Sequence, residues 1–304
     1  MTISLKDVTA FLAVYESGGV NAASRRLSVS KSVISSRLSS LEEEIGTPLF
    51  IRSTKSTTPT GAGTLFYQRA SAVARSLEDA VEDVRPENRG LCGTLRIAAP
   101  VSFTLARLQA PVIEFAGRHP ELRVSVSLND EQVDLATGVF DLAVRVGRLR
   151  DSTLKARKLA SARRVLCASP AYLSERGTPK SLADLIDHDT IGYANAPISR
   201  EWEFKDASSD TWDPVKVVPR FVSNNGETMR AALLAGLGLC AIPEFLVADD
   251  LESGQLVRVL AEYELTLDGI YCVYMPGREQ SKKVRAFIDH LVSHFGGAAL
   301  PDSG

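Results

Sequence analysis

The segment from residue 21 to residue 46, NAASRRLSVSKSVISSRLSSLEEEIG, limits what this chain can fold into. Eight of the seventeen residues from Ser24 to Ser40 are serine, which forms helices only moderately well because its hydroxyl competes for backbone hydrogen bonds. Apolar residues nevertheless recur at helical spacing from Ile34 to Ile45. A helix of this kind must have a reason to carry small hydroxyl groups along one side.

The two faces of this expected helix differ in chemistry. Ser30 suits its N-cap and Gly46 its end. With Lys31 set at zero and about 100° per residue, four serines lie at roughly 40–140° and four apolar residues at roughly 280–340°. The serines are Ser32, Ser35, Ser36 and Ser39, and the apolar residues are Ile34, Leu38, Leu41 and Ile45. A slim face rich in hydrogen-bonding groups suits the major groove of DNA. The alternative is the solvated face of an ordinary bundle, which more often carries Glu, Lys and Gln.

The flanking residues predict a winged helix-turn-helix. Apolar residues at helical spacing over 7–17 end at Gly18-Gly19, and Asn21 is a candidate N-cap for a short helix that ends at Leu27. A tight turn at Ser28-Val29 then leads into the serine-rich helix. After that helix, residues 49–51 predict a strand, and the basic and hydroxyl-bearing residues that follow it suit phosphate contacts.

The run from Phe11 to Gly63 resembles the N-terminal domain of LysR-type transcriptional regulators. The residues that carry the resemblance are AFLAVYESGGVNAASRRLSVSKSVISSRLSSLEEEIGTPLF and IRSTKSTTPTGAG. Lys31-Ser32 stands where the family commonly has Gln-Pro. Ser36 stands where the family usually has Arg, and Arg37 follows immediately after it. We therefore expect base contacts that differ from the family's usual ones. The resemblance implies double-stranded DNA as a partner and the following DNA-binding residues: Asn21, Arg25, Ser30, Lys31, Ser32, Ser35, Ser36, Arg37, Arg52 and Lys55.

Residues 66–84 predict a helix that pairs with another copy. Apolar positions alternate in steps of four and three at Phe66, Ala70, Val73, Leu77, Ala80 and Val84, which is the seam of a coiled coil. The resemblance implies a linker helix of a homodimer or homotetramer, whereas a helix packed on its own domain is the alternative. Pro86 is expected to end this helix, and residues 87–90 to form a hinge.

From residue 91 the pattern changes to short apolar strands that alternate with helices, which predicts an α/β fold with mainly parallel sheets. The resemblance extends over nearly the whole chain and implies an effector-binding domain of two subdomains, folded like periplasmic solute-binding proteins. The expected boundaries are 1–63 for the DNA-binding domain, 64–90 for the linker and hinge, and 91–304 for the effector domain. Within the latter, subdomain I takes 91–167 and 271–304, and subdomain II takes 168–270.

A small effector, expected to be anionic, would bind in the cleft between the subdomains, at the carboxyl ends of strands. Ser102 is a candidate N-cap whose helix has amides that suit a carboxylate, although simple capping explains this serine equally well. Arg145 suits an anion but alternation along its strand places it in solvent equally well. By resemblance, the effector-binding residues are Ser102, Phe103, Thr104, Asn129, Arg145, Gly147, Trp202, Asn224 and Asn225.

Other features favour a regulator over an enzyme. The net charge of −2 requires any basic patch to be local, and no signal sequence or apolar run of membrane-spanning length is evident, so we expect a cytoplasmic protein without a membrane partner. The four scattered cysteines suit reduced, buried thiols better than a redox sensor. His290 and His294 lack the glutamate of a zinc-protease motif, and we expect no catalytic residue, metal or cofactor.

Two other functions stay open at this stage. One is a small-molecule-binding protein or enzyme that uses the C-terminal cleft. The other is a constitutive architectural DNA binder. A regulator of this family would have RNA polymerase as a further expected partner.

Overall fold

The structure, a computed structural model, describes residues 3–52, 57–83, 90–149, 152–195, 201–206 and 211–296. The chain divides into two compact units. The first comprises Met1–Arg89 with Asp134–Phe140, and the second comprises Gly90–Val133 with Asp141–Gly304. Residues 84–89, with the expected Val84 and Pro86 helix end and most of the expected hinge, lie outside the described residues.

Three helices form the body of the first unit. They are α1 (Leu5–Ser17), α2 (Val20–Leu27) and α3 (Lys31–Ile45). The expected N-cap at Asn21 is wrong, because α2 begins one residue earlier and Gly19 precedes it without a side-chain cap. The tight turn at Ser28 is confirmed: this serine has a left-handed φ of 53° and its N–H bonds back to the end of α2.

A hairpin and a long helix complete the first unit. Strand β1 (Phe50–Arg52) pairs antiparallel with β2 (Thr57–Pro59), and α4 extends over Gly61–Asp83. Ser71 and Arg75 of α4 are buried, and the Ser71 hydroxyl donates to the Thr137 carbonyl at 3.2 Å. One side of α4 therefore packs within its own unit.

The apolar seam expected along α4 divides into two parts. Phe66 packs against the core of the first unit, and Ala70 is buried. Val73 and Leu77 are 68% and 44% exposed, and Val81, one residue beyond the expected Ala80, is 49% exposed. The expected alternative, a helix packed on its own domain, thus describes only the start of α4 and its Ser71 side.

The second unit begins with the strands and helices of subdomain I. In chain order these are β3 (Gly93–Ala99), α5 (Val101–Phe103), a π-helical turn (Thr104–Leu108), α6 (Gln109–Arg118), β4 (Leu122–Leu128), β5 (Leu142–Val146) and β6 (Lys155–Ala162). The chain then enters subdomain II. Its elements are β7 (Arg164–Ala168), α7 (Pro170–Arg176), β8 (Thr190–Tyr193), β9 (Glu201–Asp206), β10 (Asp213–Lys216), β11 (Pro219–Ser223), α8 (Gly226–Leu234), β12 (Cys240–Pro243), α9 (Ala248–Glu252), β13 (Val257–Arg258) and β14 (Tyr263–Leu265). It returns through β15 (Asp268–Tyr274) and ends in α10 (Lys282–Phe295).

Strand pairing corrects two expectations. The sheet of subdomain I has the order β4-β3-β5-β15-β6, and β7 belongs to another sheet, between β12 and β13. The chain therefore crosses at residue 163 rather than after Cys167, and it has returned by Asp268 rather than near Tyr271. The expected mainly parallel pairing is also wrong: β3 pairs parallel with β4 and β5, but β15 runs antiparallel to both β5 and β6. A strand that returns from the second subdomain enters the sheet from the opposite end.

Apolar side chains fill separate cores in the two subdomains. Phe103, Phe115 and Phe287 are buried in subdomain I, and Trp202 and Phe204 in subdomain II. Three of the four cysteines, Cys167, Cys240 and Cys272, are free and buried, and Cys92 is partly buried. Within the described ranges, no helix has both the length and the apolar character needed to cross a membrane.

Candidate nucleic-acid interface and effector site

The N-terminal end of α3 presents the polar side chains that the sequence predicted. The Ser30 hydroxyl accepts the Val33 N–H at 3.3 Å and so caps the helix. Lys31, Ser32 and Ser36 are exposed, and Ser35 is half-buried. These side chains and the open amides of the first helical turn form a slim, polar and positively charged end.

The opposite side of α3 fixes this orientation. Ile34, Leu38 and Leu41 are each at most 1% exposed and pack with Phe11 in the core of the first unit. A rotation of α3 that turned the serines inward would bring these three apolar side chains into water. At about 1.5–3 kcal/mol for each buried aliphatic side chain, the polar face is held outward.

The cations around α3 fall into two groups. Arg26 forms an ion pair with Glu16 at 2.6 Å. Arg25 and Lys31 are exposed and Arg37 is half-buried, and within the described part of the chain none of these three takes part in an ion pair. Asn21 is also exposed on α2. Three basic side chains beside the serines therefore remain available to an external anion.

The hairpin of β1 and β2 is the wing that the sequence predicted, and α3 holds its base. The Glu42 carboxylate accepts the N–H groups of Leu49 and Phe50 at 2.8 and 3.1 Å. The sequence analysis gave Glu42 no part in the wing, so this structural role was missed. Arg52 lies in β1, but its side chain and the whole of Lys55 lie outside the described residues.

Three adjacent residues expected to bind an effector are largely enclosed. α5 begins at Val101 after Pro100, so the expected N-cap at Ser102 is wrong. Phe103 is 1% exposed and packs in the core, and the Thr104 hydroxyl donates to the Pro100 carbonyl at 2.7 Å. The Ser102 hydroxyl accepts the Glu227 N–H of α8 at 3.3 Å. Ser102 therefore joins the two subdomains, and Phe103 and Thr104 are structural.

Asn129, Arg145 and Gly147 occupy different surroundings. Asn129 is exposed, and its side-chain oxygen accepts the Glu131 N–H at 2.9 Å. The Arg145 guanidinium is half-buried and donates to the Val133 carbonyl at 3.2 Å, and burial lowers its pKa. Gly147 has a φ of 120° and its N–H bonds to the Gly269 carbonyl, so it is a backbone connection.

The remaining expected residues lie in subdomain II. Trp202 is 2% exposed in the core with Phe204, which corrects its assignment to the cleft: the apolar ring is needed for packing. Asn224 is exposed. Asn225 caps α8, where its side-chain oxygen accepts the Thr228 N–H at 3.0 Å, and its amide donates to the Asp130 carboxylate at 2.7 Å.

Asp130 is a residue of this junction that the sequence analysis missed. Its carboxylate also accepts the Val101 N–H at 3.0 Å, so it bonds to both subdomains. Its position at the end of β4, next to the predicted Asn129, was the available signal.

His290 and His294, the histidine pair of the final helix, lie apart from these residues on α10. The imidazole of His290 bonds to the Pro111 carbonyl at 2.9 Å, and its ring centroid lies 6.5 Å from that of His294. In the parts of the chain that the structure describes, no group of three or more His, Cys, Asp or Glu side chains is placed to hold a metal ion. The site is a polar helix end and a wing in one unit, with a hydrogen-bonded junction of two subdomains in the other.

These features define a regulator that contacts DNA through a winged helix-turn-helix and carries a two-subdomain domain for a small ligand. Residues 5–64 match the family model described as bacterial regulatory helix-turn-helix protein, lysR family, and residues 88–296 match that described as LysR substrate binding domain. The chain belongs to the family of LysR-type transcriptional regulators. It is thus a DNA-binding transcriptional regulator with an effector-binding domain, in a family of oligomeric regulators rather than enzymes.

Similar proteins support this assignment along the whole chain. The HTH-type transcriptional regulator CrgA of Neisseria meningitidis is 30% identical over 299 residues, which are 97% of this chain and 98% of CrgA. The regulator PtxR of Pseudomonas aeruginosa is 34% identical over 296 residues, with 97% and 94% of the two chains covered. The full-length structure of the Vibrio cholerae virulence activator AphB matches with a TM-score of 0.60 at 29% identity and covers 95% of this chain and 99% of AphB.

Proposed function

We propose that α3 enters the major groove and that Lys31, Ser32, Ser35 and Ser36 contact base edges there. The observation that carries this proposal is the contrast between the two sides of α3. Ile34, Leu38 and Leu41 are buried, whereas the lysine and serines remain outside the core at the end where the helix amides are open. A lysine and hydroxyl groups are donors and acceptors suited to base edges.

The surrounding residues would position the helix on the DNA backbone. Arg25 and Arg37 have no internal ion pair within the described residues, and Asn21 and Ser30 lie at the starts of α2 and α3. Phosphate contacts from such residues fix the register without reading sequence. Arg52 and Lys55 of the wing are proposed to have the same role.

A gel-shift experiment on the full chain tests this division. Lys31→Ala and Ser35→Ala are each expected to weaken binding to DNA from the flank of the protein's own gene by about 1–3 kcal/mol, or roughly 5–150-fold. Binding to random DNA should change much less. Ser40→Ala, an exposed serine farther along α3, is the matched control. Equal losses on specific and random DNA would limit Lys31 and Ser35 to phosphate contact.

The exposed part of the α4 seam is proposed to pair two copies of the chain. Val73, Leu77 and Val81 are large apolar residues that remain outside the core, whereas Ser71 and Arg75 are buried. Leu77→Lys should shift the protein toward monomers in analytical ultracentrifugation, and Glu78→Lys, which adds the same side chain at the adjacent exposed position, should not. Unchanged association of Leu77→Lys would place the dimer interface elsewhere.

We propose a homodimer or homotetramer that acts in the cytoplasm and also contacts RNA polymerase.

The junction of the two subdomains is proposed as the effector site. Ser102 and Asn225 both bond across it, and an effector that separates or tightens these bonds would bind two states of the domain unequally. Arg145 supports an anionic effector because its guanidinium is half-buried and, within the described residues, takes part in no ion pair. Repeating the gel shifts with candidate metabolites tests this: a ligand that binds the domain without changing any shift would contradict effector control.

A further inference from the structure

Asp130 joins the two subdomains through a single side chain. It follows β4 in subdomain I, where one carboxylate oxygen accepts the Val101 N–H at 3.0 Å. The other oxygen accepts the Asn225 side-chain amide of subdomain II at 2.7 Å. The Asp130 main-chain carbonyl accepts a third bond, from the Asn195 side-chain amide at 2.8 Å. The carboxylate is therefore held from both sides.

The two donors are arranged in advance. The Val101 N–H is fixed at the start of its helix, where a backbone amide has no helical acceptor. Asn225 is fixed through its own side-chain oxygen, which accepts the Thr228 N–H at 3.0 Å and the Thr228 hydroxyl at 3.2 Å. Because the oxygen end of the amide is occupied in this way, its NH₂ end must face Asp130.

The Asp130 charge is balanced by dipoles rather than by a cation. Within the described residues no Lys, Arg or His forms an ion pair with this half-buried carboxylate. Backbone and side-chain N–H donors that converge on an anion are one means by which proteins bind small carboxylates. The protein's own side chain thus occupies a pair of donors that would otherwise suit an anionic ligand.

We propose that Asp130 is an internal ligand at a carboxylate subsite of the effector junction. Its carboxylate occupies the Val101 and Asn225 donors, and a small carboxylate effector binds there only by displacing it. Asp130 therefore determines specificity, because it competes with every anion for these donors. The inference rests on the proposed effector site, and it identifies the ligand class as a carboxylate.

Acetate tests whether the vacated donors form a real subsite. In the full-length Asp130→Ala variant at pH 7.5, sodium acetate should raise the Tm followed by tryptophan emission, saturably and above a sodium chloride control. At ten times the dissociation constant of acetate, the rise should be about 3–6 °C. The wild type and Glu131→Ala, which removes the adjacent exposed carboxylate, should show no rise beyond the salt control.

A second variant distinguishes charge from space. Asp130→Asn fills the site but presents an NH₂ group to one of two N–H donors, so it should lower the Tm and stay unresponsive to acetate. An acetate response that is absent in Asp130→Ala, or equal in all variants, would overturn the proposal. If Asp130→Ala does not fold, Asp130→Asn decides: a Tm equal to that of the wild type would mean that the donors do not hold the carboxylate. None of these outcomes depends on DNA binding, which the α3 variants test separately.

Discussion

Gly63, at the start of α4, allows a direct test of how the wing is fixed to the helix-turn-helix. A Cβ atom at residue 63 would lie 2.1 Å from the Leu49 carbonyl oxygen, which is more than 1 Å closer than a normal contact. That oxygen already accepts the Thr60 N–H at 3.0 Å. The Gly63→Ala substitution must therefore move the base of the wing away from α4.

The expected cost follows from these two contacts. Forcing an extra carbon into a well-packed site costs about 1–3 kcal/mol, and loss of the bond between Thr60 and Leu49 adds about 1 kcal/mol. We expect Gly63→Ala to lower the free energy of unfolding of the first unit by about 2–4 kcal/mol. Gly61→Ala is the matched control, because nothing lies within 4 Å of a Cβ at residue 61 and alanine favours helix.

The two units can be followed separately in one sample. Both tryptophans, Trp202 and Trp212, belong to the second unit. In urea, helical circular dichroism should show an early transition for Gly63→Ala, about 1–2 M below that of the wild type for a slope of about 2 kcal/mol/M. The tryptophan emission midpoint should stay unchanged. If Gly63→Ala and Gly61→Ala unfold at the same urea concentration, the close approach of Leu49 to α4 does not limit stability.

Three further outcomes are expected. Glu42→Gln should destabilise the first unit by about 1–2 kcal/mol in the same urea assay, because an amide is a weaker acceptor for the two N–H groups of the wing. The control Glu43→Gln should leave the stability unchanged, and equal effects of the two substitutions would contradict the bonding role of Glu42. Burial raises the pKa of Cys240 and of Cys272 to about 12, so neither thiol should react with a disulfide reagent at pH 8 until urea unfolds the chain. Burial lowers the pKa of His188, so below about pH 6.5 the unfolded state binds a proton that the folded state does not. As the pH is lowered through this range, the urea midpoint followed by tryptophan emission should decrease. The decrease should be smaller in His188→Gln.

The first unit was predictable because its determinants are local. The N-cap at Ser30, the end at Gly46 and the apolar positions between them lie within seventeen residues. Together they specify both the helix and the direction of its serine face. The error at Asn21 has a local cause as well: Gly19 permits α2 to begin at Val20, and a helix that starts after glycine needs no polar cap side chain.

The second unit was less predictable because distant pairings determine it. Strand β6 is hard to predict from the sequence, because KARKLASA is exposed in its first half and buried only in its second and so shows no clear alternation. Its place at the edge of the sheet depends on β15, more than a hundred residues later. The residue at which the chain enters subdomain II therefore depends on distant pairings that a local pattern does not show.

The effector residues show why a list of strand ends does not define a site. Trp202 lies within β9 and Phe103 ends α5, and both are large apolar side chains whose burial stabilises the cores. Asn225 and Asp130 are 95 residues apart, and only the folded chain brings them together. The sequence predicted that the amides after Ser102 would hold a carboxylate, but the donors on the Asp130 carboxylate are the Val101 N–H and the Asn225 side-chain amide. The same donors bind a carboxylate from the protein or from a ligand, so the chemistry of the donors cannot decide which one occupies them. That choice depends on whether an acidic side chain lies within reach, as Asp130 does, and on how much a free carboxylate gains by replacing it.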